Sequence, residues 1–95
     1  MQTLLNALAD PLRREALHIL WDGGEHCVCE LMARLEASQS RMSRHMKALR
    51  EAGLVVARQD AQWVRYRQNR DLAPELRAVV DAVLAAESLQ SRDAA

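Results

Sequence analysis

The sequence lacks phenylalanine and contains only three glycines and two prolines, and aromatic residues make up 3% of it. Glycine and proline disfavour helices most, whereas the abundant alanine, leucine, arginine and glutamate favour them. We therefore predict a mainly helical fold. Because apolar residues make up 49% of only 95 residues, we also expect one small folded domain, residues 1–95, rather than a disordered segment.

Long apolar runs are absent as well, since none approaches the roughly 20 residues that a membrane-spanning helix needs. The first ten residues carry neither the basic segment nor the cleavage site of a secretory signal. We therefore predict a cytoplasmic protein with no membrane partner. The sequence offers no set of nucleophile, base and acid, no phosphate-binding loop and no pair of inward carboxylates, so an enzyme is not expected.

The formal net charge is zero, but the charges are segregated along the chain. Residues 38–70 contain eight basic and two acidic side chains, a net charge of +6, and the remaining residues carry −6. A local concentration of basic residues is typical of nucleic-acid-binding proteins. The sequence therefore favours a DNA-binding surface in this segment.

Hydrophobic periodicity and capping residues predict five helices and one β-hairpin. The helices are expected at residues 1–9, 11–22, 28–35, 39–52 and from 71–74 onward, with fraying from Ser88, and the strands at residues 54–59 and 63–68. Asp10 and Ser38 suit N-capping positions, Pro11 suits a first helical position, and Gly53 suits a helix stop. The expected fold class is mainly α with a two-stranded β-hairpin.

The third and fourth predicted helices, joined by a short turn and followed by a basic hairpin, form the pattern of a winged helix-turn-helix. In this motif the second helix enters the major groove of DNA, and the hairpin, called the wing, contacts DNA beside it. Hydroxyl, amide and guanidinium groups suit base edges and phosphates. The candidate DNA-binding residues are Ser38, Gln39, Ser40, Arg41, Ser43, Arg44, His45 and Lys47 in the helix and Arg65 and Arg67 in the wing. The alternative is a basic helix face that is simply solvated.

Two cysteines, Cys27 and Cys29, lie one residue apart at the start of the third predicted helix. A structural disulfide at this spacing is expected to be strained, and a reducing compartment does not favour it. The positive end of a helix favours the thiolate, which binds soft metals. We interpret the pair as a soft-metal or redox site, with His26 as a further ligand if the metal is Zn²⁺ or Cd²⁺. The alternative is that Cys29 is a plain buried core residue.

Five segments of the chain resemble the ArsR/SmtB family of metal-responsive winged-helix repressors, and the resemblance covers about residues 4–85. These segments are Leu8-Ala9-Asp10-Pro11-Leu12-Arg13, Cys27-Val28-Cys29-Glu30-Leu31, Ser38-Gln39-Ser40-Arg41-Met42-Ser43-Arg44-His45-Met46, Leu49-Arg50-Glu51-Ala52-Gly53-Leu54-Val55 and Trp63-Val64-Arg65-Tyr66-Arg67. The segment with the two cysteines is the most specific and is similar to the arsenic- and antimony-sensing branch.

Three departures from the family pattern bear on the site. Met32 stands where the arsenic-sensing pattern usually has a third cysteine, and we expect it to pack in the core. Residues 71–95 contain no histidine, so the zinc site that the zinc-sensing branch has on its last helix is not expected. Ala61 replaces the usual glycine of the wing turn, which leaves the conformation of the wing tip open.

The resemblance implies a metalloid-responsive transcriptional repressor that binds double-stranded operator DNA as a homodimer. Because the apolar faces of the first and last helices exceed what a core of 95 residues can use, we expect these helices at the dimer interface. The implied inducers are As(III), methylarsenite or Sb(III) bound by Cys27 and Cys29, and no cofactor is required. One alternative is a winged-helix repressor that senses oxidants or reactive sulfur through the thiol pair. Another is a protein–protein interaction module that does not bind DNA, against which the basic segment counts.

Overall fold

Capping residues set the helix starts in the computed structural model, which describes residues 1–94 and side chains up to residue 89. The helices in this part of the chain are α1 (Gln2–Ala9), α2 (Pro11–Leu20), α3 (Val28–Leu35), α4 (Gln39–Glu51) and α5 (Pro74–Ala94). The Asp10 carboxylate accepts hydrogen bonds from the backbone N–H groups of Leu12 and Arg13, at 2.8 and 3.2 Å. The Ser38 hydroxyl accepts one from the N–H of Arg41 at 3.2 Å. Both predicted N-caps are therefore confirmed.

The helix ends agree with the prediction less closely. Helix α2 stops two residues early, and Gly23 follows it with φ +86°, in the left-handed region that favours glycine. Gly53, with φ +78°, follows α4 as predicted. Helix α5 continues to Ala94.

The sheet has three strands where the sequence predicted two. The strands are β1 (His26–Cys27), β2 (Val55–Asp60) and β3 (Trp63–Gln68), all antiparallel, in the order β1-β3-β2. The β2–β3 hairpin is the predicted wing, and β1 adds a third strand that pairs with β3. Because β1 is only two residues long, it has no hydrophobic alternation that a sequence pattern can detect. The predicted mainly helical, winged helix-turn-helix fold is otherwise confirmed.

One apolar core joins the helices to the sheet. Its fully buried large side chains are Leu17, Leu20, Leu31, Met42, Met46, Leu49, Leu54, Val55 and Val80. Three of them, Met42, Met46 and Leu49, form the seam that the sequence predicted on α4. Burial of each such side chain contributes roughly 1.5–3 kcal/mol, so this seam fixes which face of α4 is left to solvent.

Polar contacts hold α5 against α2. The indole N–H of Trp21 donates to the Asp81 carboxylate at 2.6 Å. The Glu87 carboxylate accepts a hydrogen bond from Arg14 at 2.6 Å and lies 3.0 Å from Nε2 of His18. In the described part of the chain, no helix is long and apolar enough to cross a membrane.

Candidate functional site

The outer face of α4 carries most of the predicted DNA-binding residues. Met42 and Met46 are fully buried, whereas Ser43 and Arg44 between them are exposed. The exposed candidates are Ser38, Gln39, Ser40, Arg41, Ser43, Arg44 and Lys47. Helix α3 packs behind α4. This is the surface that a recognition helix needs, with donors and guanidinium groups on the side away from its supporting helix.

His45 is placed differently from the rest. Its side chain is only 17% exposed, and Nδ1 lies 3.9 Å from a carboxylate oxygen of Asp10, at the start of α2. Burial lowers the pKa of His45 below its ordinary value, since the opposing effect of Asp10 is smaller. His45 therefore faces α2 as a mainly neutral ring at pH 7, in contrast to the expected position on the DNA-facing surface.

The two predicted wing residues lie on β3, and the protein already provides a partner for each. Nε of Arg65 donates to the Asp60 carboxylate at 2.7 Å, which lowers the pKa of Asp60. Nη1 of Arg67 donates to the backbone oxygen of Gln68 at 3.2 Å. The wing turn adopts the conformation that a glycine would favour, because Ala61 has φ +55°.

Sequence reasoning missed a third wing arginine, Arg58 of β2. Its Nε and Nη2 donate to the two carboxylate oxygens of Glu25, at 3.0 and 2.5 Å. The hydrogen bonds from Arg58 lower the pKa of Glu25. Because 33 residues separate the two partners, no local sequence pattern predicts this ion pair. The only signal was the presence of Arg58 in the basic segment.

The two sulfur atoms of Cys27 and Cys29 are in bonding contact as a disulfide. The Cα atoms of the two cysteines are 5.1 Å apart. The N–H of Cys29 also donates to Sγ of Cys27 at 3.2 Å, so this sulfur caps α3. Cys27 is buried and Cys29 is exposed, so the alternative of Cys29 as a core residue is wrong. The sulfur pair thus converges at the first turn of α3, open to solvent on one side.

The neighbours of the sulfur pair add no further ligand set. Met32 is partly buried against the core, as predicted. The two ring nitrogens of His26 lie 2.8 Å from Glu30 and 2.9 Å from Asp22. Although burial opposes it, these hydrogen bonds raise the pKa of His26. Within the described residues, no group of three or more His, Cys, Asp and Glu side chains is arranged to hold a metal ion.

A groove lies between α1 and α5, the helices expected at a dimer interface. It has a volume of about 340 Å³ and is lined by Leu5, Leu8, Ala9, Arg14, Val83, Ala86 and Glu87. Leu5 on α1 and Leu89 on α5 are large apolar side chains that are about half exposed. Of the leucines that line the groove, Leu8 is buried and Leu5 is half exposed.

Comparison with known proteins places this architecture among bacterial regulators. The family described as bacterial regulatory protein, arsR family, matches residues 10–56. The chain is similar to the arsenic resistance transcriptional regulator ArsR1 of Pseudomonas putida, with 44% identity over 85% of the chain and 60% of that protein. ArsR2 of the same organism is 38% identical over 90% of the chain and 74% of that protein. The chain therefore spans about three fifths to three quarters of the length of these relatives.

Among solved structures, the chain is similar to HlyU from Vibrio cholerae, with a TM-score of 0.72 and 40% identity over 85% of this chain and 84% of that one. A reduced form of HlyU gives a TM-score of 0.71, with the same identity, over 85% of this chain and 81% of that one.

Proposed function

The chain belongs to the arsR family of bacterial regulatory proteins, and from this we propose that it is a homodimeric repressor that leaves its operator DNA when trivalent arsenic or antimony binds Cys27 and Cys29. Helix α4 reads base edges in the major groove, and the wing contacts the flanking backbone. Two copies of α4 in a twofold dimer read two half-sites that are about one helical turn apart. The exposed polar face of α4 and the groove between α1 and α5 support this assembly.

We choose this inducer because the two sulfur atoms lie together at the start of α3. Trivalent arsenic is soft and prefers thiolate ligands. Each of the two thiols replaces one hydroxyl group of arsenite and releases it as water, so that two As–S bonds form. The third arsenic ligand is then hydroxide or an exogenous thiol, and in methylarsenite it is the methyl group. The two Pseudomonas relatives are named arsenic resistance transcriptional regulators, which agrees with such an inducer.

The position of the sulfurs gives the inducer a route to the DNA. Because Sγ of Cys27 caps α3, a metalloid bound there changes the hydrogen bond at the start of that helix. Helix α3 packs on α4, so a change in α3 alters the presentation of the recognition helix. Allosteric coupling in proteins is typically about 1–3 kcal/mol, or roughly a 5- to 150-fold change in DNA affinity.

The test is release of a selected operator duplex under reducing conditions, titrated with arsenite, methylarsenite, antimonite, Cd²⁺ and Zn²⁺. We expect the first three to release DNA and Zn²⁺ to have little effect. Cys27→Ser and Cys29→Ser should keep their DNA affinity but lose the response, and serine at position 27 retains a capping group. A Cys→Ser variant that still responds like the wild type would rule out the two-thiolate site.

A substitution that should strengthen arsenite binding complements the two Cys→Ser variants. Met32 lies three residues after Cys29 on α3, on the same side of the helix. Met32→Cys should therefore tighten arsenite binding by about tenfold or more, equivalent to about 1.4 kcal/mol, through a third As–S bond. Methylarsenite, which has only two positions for sulfur, should gain much less. Equal gains for both compounds would mean that position 32 does not reach the arsenic.

A second candidate function is a thiol redox sensor, favoured by the contact between the two sulfurs and by the existence of a reduced form of the similar HlyU. Two thiols and one peroxide molecule give one disulfide and two water molecules, which closes the same pair without a metalloid. DNA release by hydrogen peroxide or an organic persulfide, with mass spectrometry of the Cys27–Cys29 peptide, distinguishes the two sensors. Release by oxidant at concentrations where arsenite has no effect would favour the redox sensor.

A further inference from the structure

An ion pair that spans the sheet ties the segment before the thiols to the wing. Glu25 lies two residues before Cys27, and its carboxylate accepts two hydrogen bonds from Arg58 of β2. Because the strand order is β1-β3-β2, this contact passes over the central strand β3. A bidentate pair of guanidinium and carboxylate fixes the orientation of both groups.

Cys27 and the basic residues Arg58 and Arg65 hold opposed positions across the sheet. Cys27 lies opposite Arg65 in the β1–β3 ladder, and Arg65 lies opposite Arg58 in the β2–β3 ladder. Directly opposed residues of antiparallel strands point to the same face, with Cβ atoms about 4.5–5.5 Å apart. A cleft of about 130 Å³ opens on this face, lined in part by Glu25, Arg58, Arg65 and Arg67. Cys27 is therefore paired directly with β3 of the wing, whereas Cys29 follows it on α3.

Arg58 has the exposure and the setting of a DNA contact. Its side chain is 57% exposed, and it lies in the basic segment on the element that contacts the DNA backbone. A guanidinium group uses the same fork of N–H donors for a carboxylate and for a phosphate. Glu25 and a DNA phosphate are therefore competitors for Arg58.

We propose that Arg58 is a phosphate-binding residue of the wing and that Glu25 withdraws it from DNA when Cys27 and Cys29 are bridged, an inference that rests on the proposed function. The Glu25–Arg58 pair is formed in the structure, in which the two sulfurs are in contact. A bridge across the sulfurs restricts the backbone that follows Glu25 and so favours the pair. With open thiols this segment has more conformational freedom, and the phosphate takes Arg58. Bridging then removes one phosphate contact per wing.

The test is the salt dependence of DNA binding with and without arsenite. Each phosphate contact contributes about 0.9 to the slope of log affinity against log salt concentration. Arsenite should reduce the wild-type slope by about 0.9 per wing. Arg58→Gln should have this lower slope already without arsenite. In Glu25→Gln the slope should not change with arsenite, and the loss of DNA affinity caused by arsenite should be at least threefold smaller than in the wild type.

Glu51→Gln is the matched control, since Glu51 lies 4.0 Å from the exposed Lys47 on α4 and the charge change is the same. It should change DNA affinity equally in both states and leave the arsenite effect as it is in the wild type. An unchanged slope in Arg58→Gln, or a wild-type arsenite response in Glu25→Gln, would overturn the inference. Failure of the proposed function is a different result, a wild-type protein that binds DNA but ignores arsenite and the thiol oxidant diamide. That result would also rule out the withdrawal of Arg58 by Glu25. The salt slope of Arg58→Gln would still show whether Arg58 binds a DNA phosphate.

Discussion

A single carboxylate, that of Asp10, determines where α2 begins. It accepts hydrogen bonds from the N–H groups of Leu12 and Arg13, two donors that the helix itself leaves without partners. Burial acts to raise the pKa of Asp10, but these hydrogen bonds, together with the nearby His45 and Arg13, lower the pKa below its ordinary value. The charged form is therefore the one that the folded state prefers.

This preference makes stability depend on pH in a defined direction. A group with a lowered pKa in the folded state stabilises the protein above its unfolded pKa, about 3.9 for aspartate, and loses that contribution as the pH falls through the folded value. Asp10→Asn keeps a capping group without the charge, so it should melt below the wild type at pH 7 and approach it below about pH 4. Thermal melts of both proteins between pH 2 and 7 measure this. A constant difference across the range would show that the charge does not matter.

Ser43 and Arg44 test which face of α4 binds DNA. Both are exposed, opposite the buried Met42 and Met46. We expect Arg44→Ala to cost about 1–3 kcal/mol of specific binding if it contacts a base, and Ser43→Ala to weaken binding as well, with the midpoint of urea unfolding unchanged. Arg67→Ala in the wing should weaken binding to all sequences alike, as loss of a phosphate contact does. A large drop in stability for either α4 variant would mean that the residue supports the fold instead.

Among the elements, those with local signals were predictable and those with distant partners were not. Asp10-Pro11 and Ser38 mark helix starts in the sequence itself, and α3 and β3 have their predicted bounds. Strand β1 was not predicted because it is determined only by its pairing with β3, almost 40 residues later. The same distance hid the Glu25–Arg58 pair. The inward position of His45 depends on how α4 packs beside Asp10, which the pattern of α4 alone does not contain.

The wing turn carries a strain that one substitution should relieve. Ala61 has φ +55°, a conformation that costs a residue with a Cβ atom roughly 1–2 kcal/mol. Ala61→Gly removes this cost but gives the unfolded chain more freedom, worth about 0.4–1 kcal/mol, so we expect a net gain of about 0.5–1 kcal/mol. Ala57→Gly, at an exposed position of β2, is the control and should destabilise by about 0.5–1 kcal/mol. Urea unfolding measures both, and a loss of stability in Ala61→Gly would contradict the strain argument.

In the molecule as a whole, the two proposed interfaces use different parts of the chain. The basic segment 38–70 contains α4 and the wing, whereas the groove that we assign to the dimer lies between α1 and α5, outside that segment. Two copies can therefore join through α1 and α5 while both recognition helices remain free. The residues outside the basic segment carry a net charge of −6, which disfavours contact with the DNA phosphates.

A substitution of Leu5 should affect dimer assembly without affecting the folding of one protomer. It lines the groove but is 47% exposed, so a charge at this position leaves the core of one protomer intact. We expect Leu5→Glu to shift the protein from dimer to monomer by buried-charge repulsion at the interface, with an unchanged helical circular dichroism spectrum. Gln2→Glu, exposed on the same helix and outside the groove, is the control for charge. Sedimentation equilibrium measures the oligomeric state. A dimer that persists in Leu5→Glu would show that the interface lies elsewhere on the protein. Because half-sites are bound together only by a dimer, the monomer should lose much more affinity for a full operator than for a half-site.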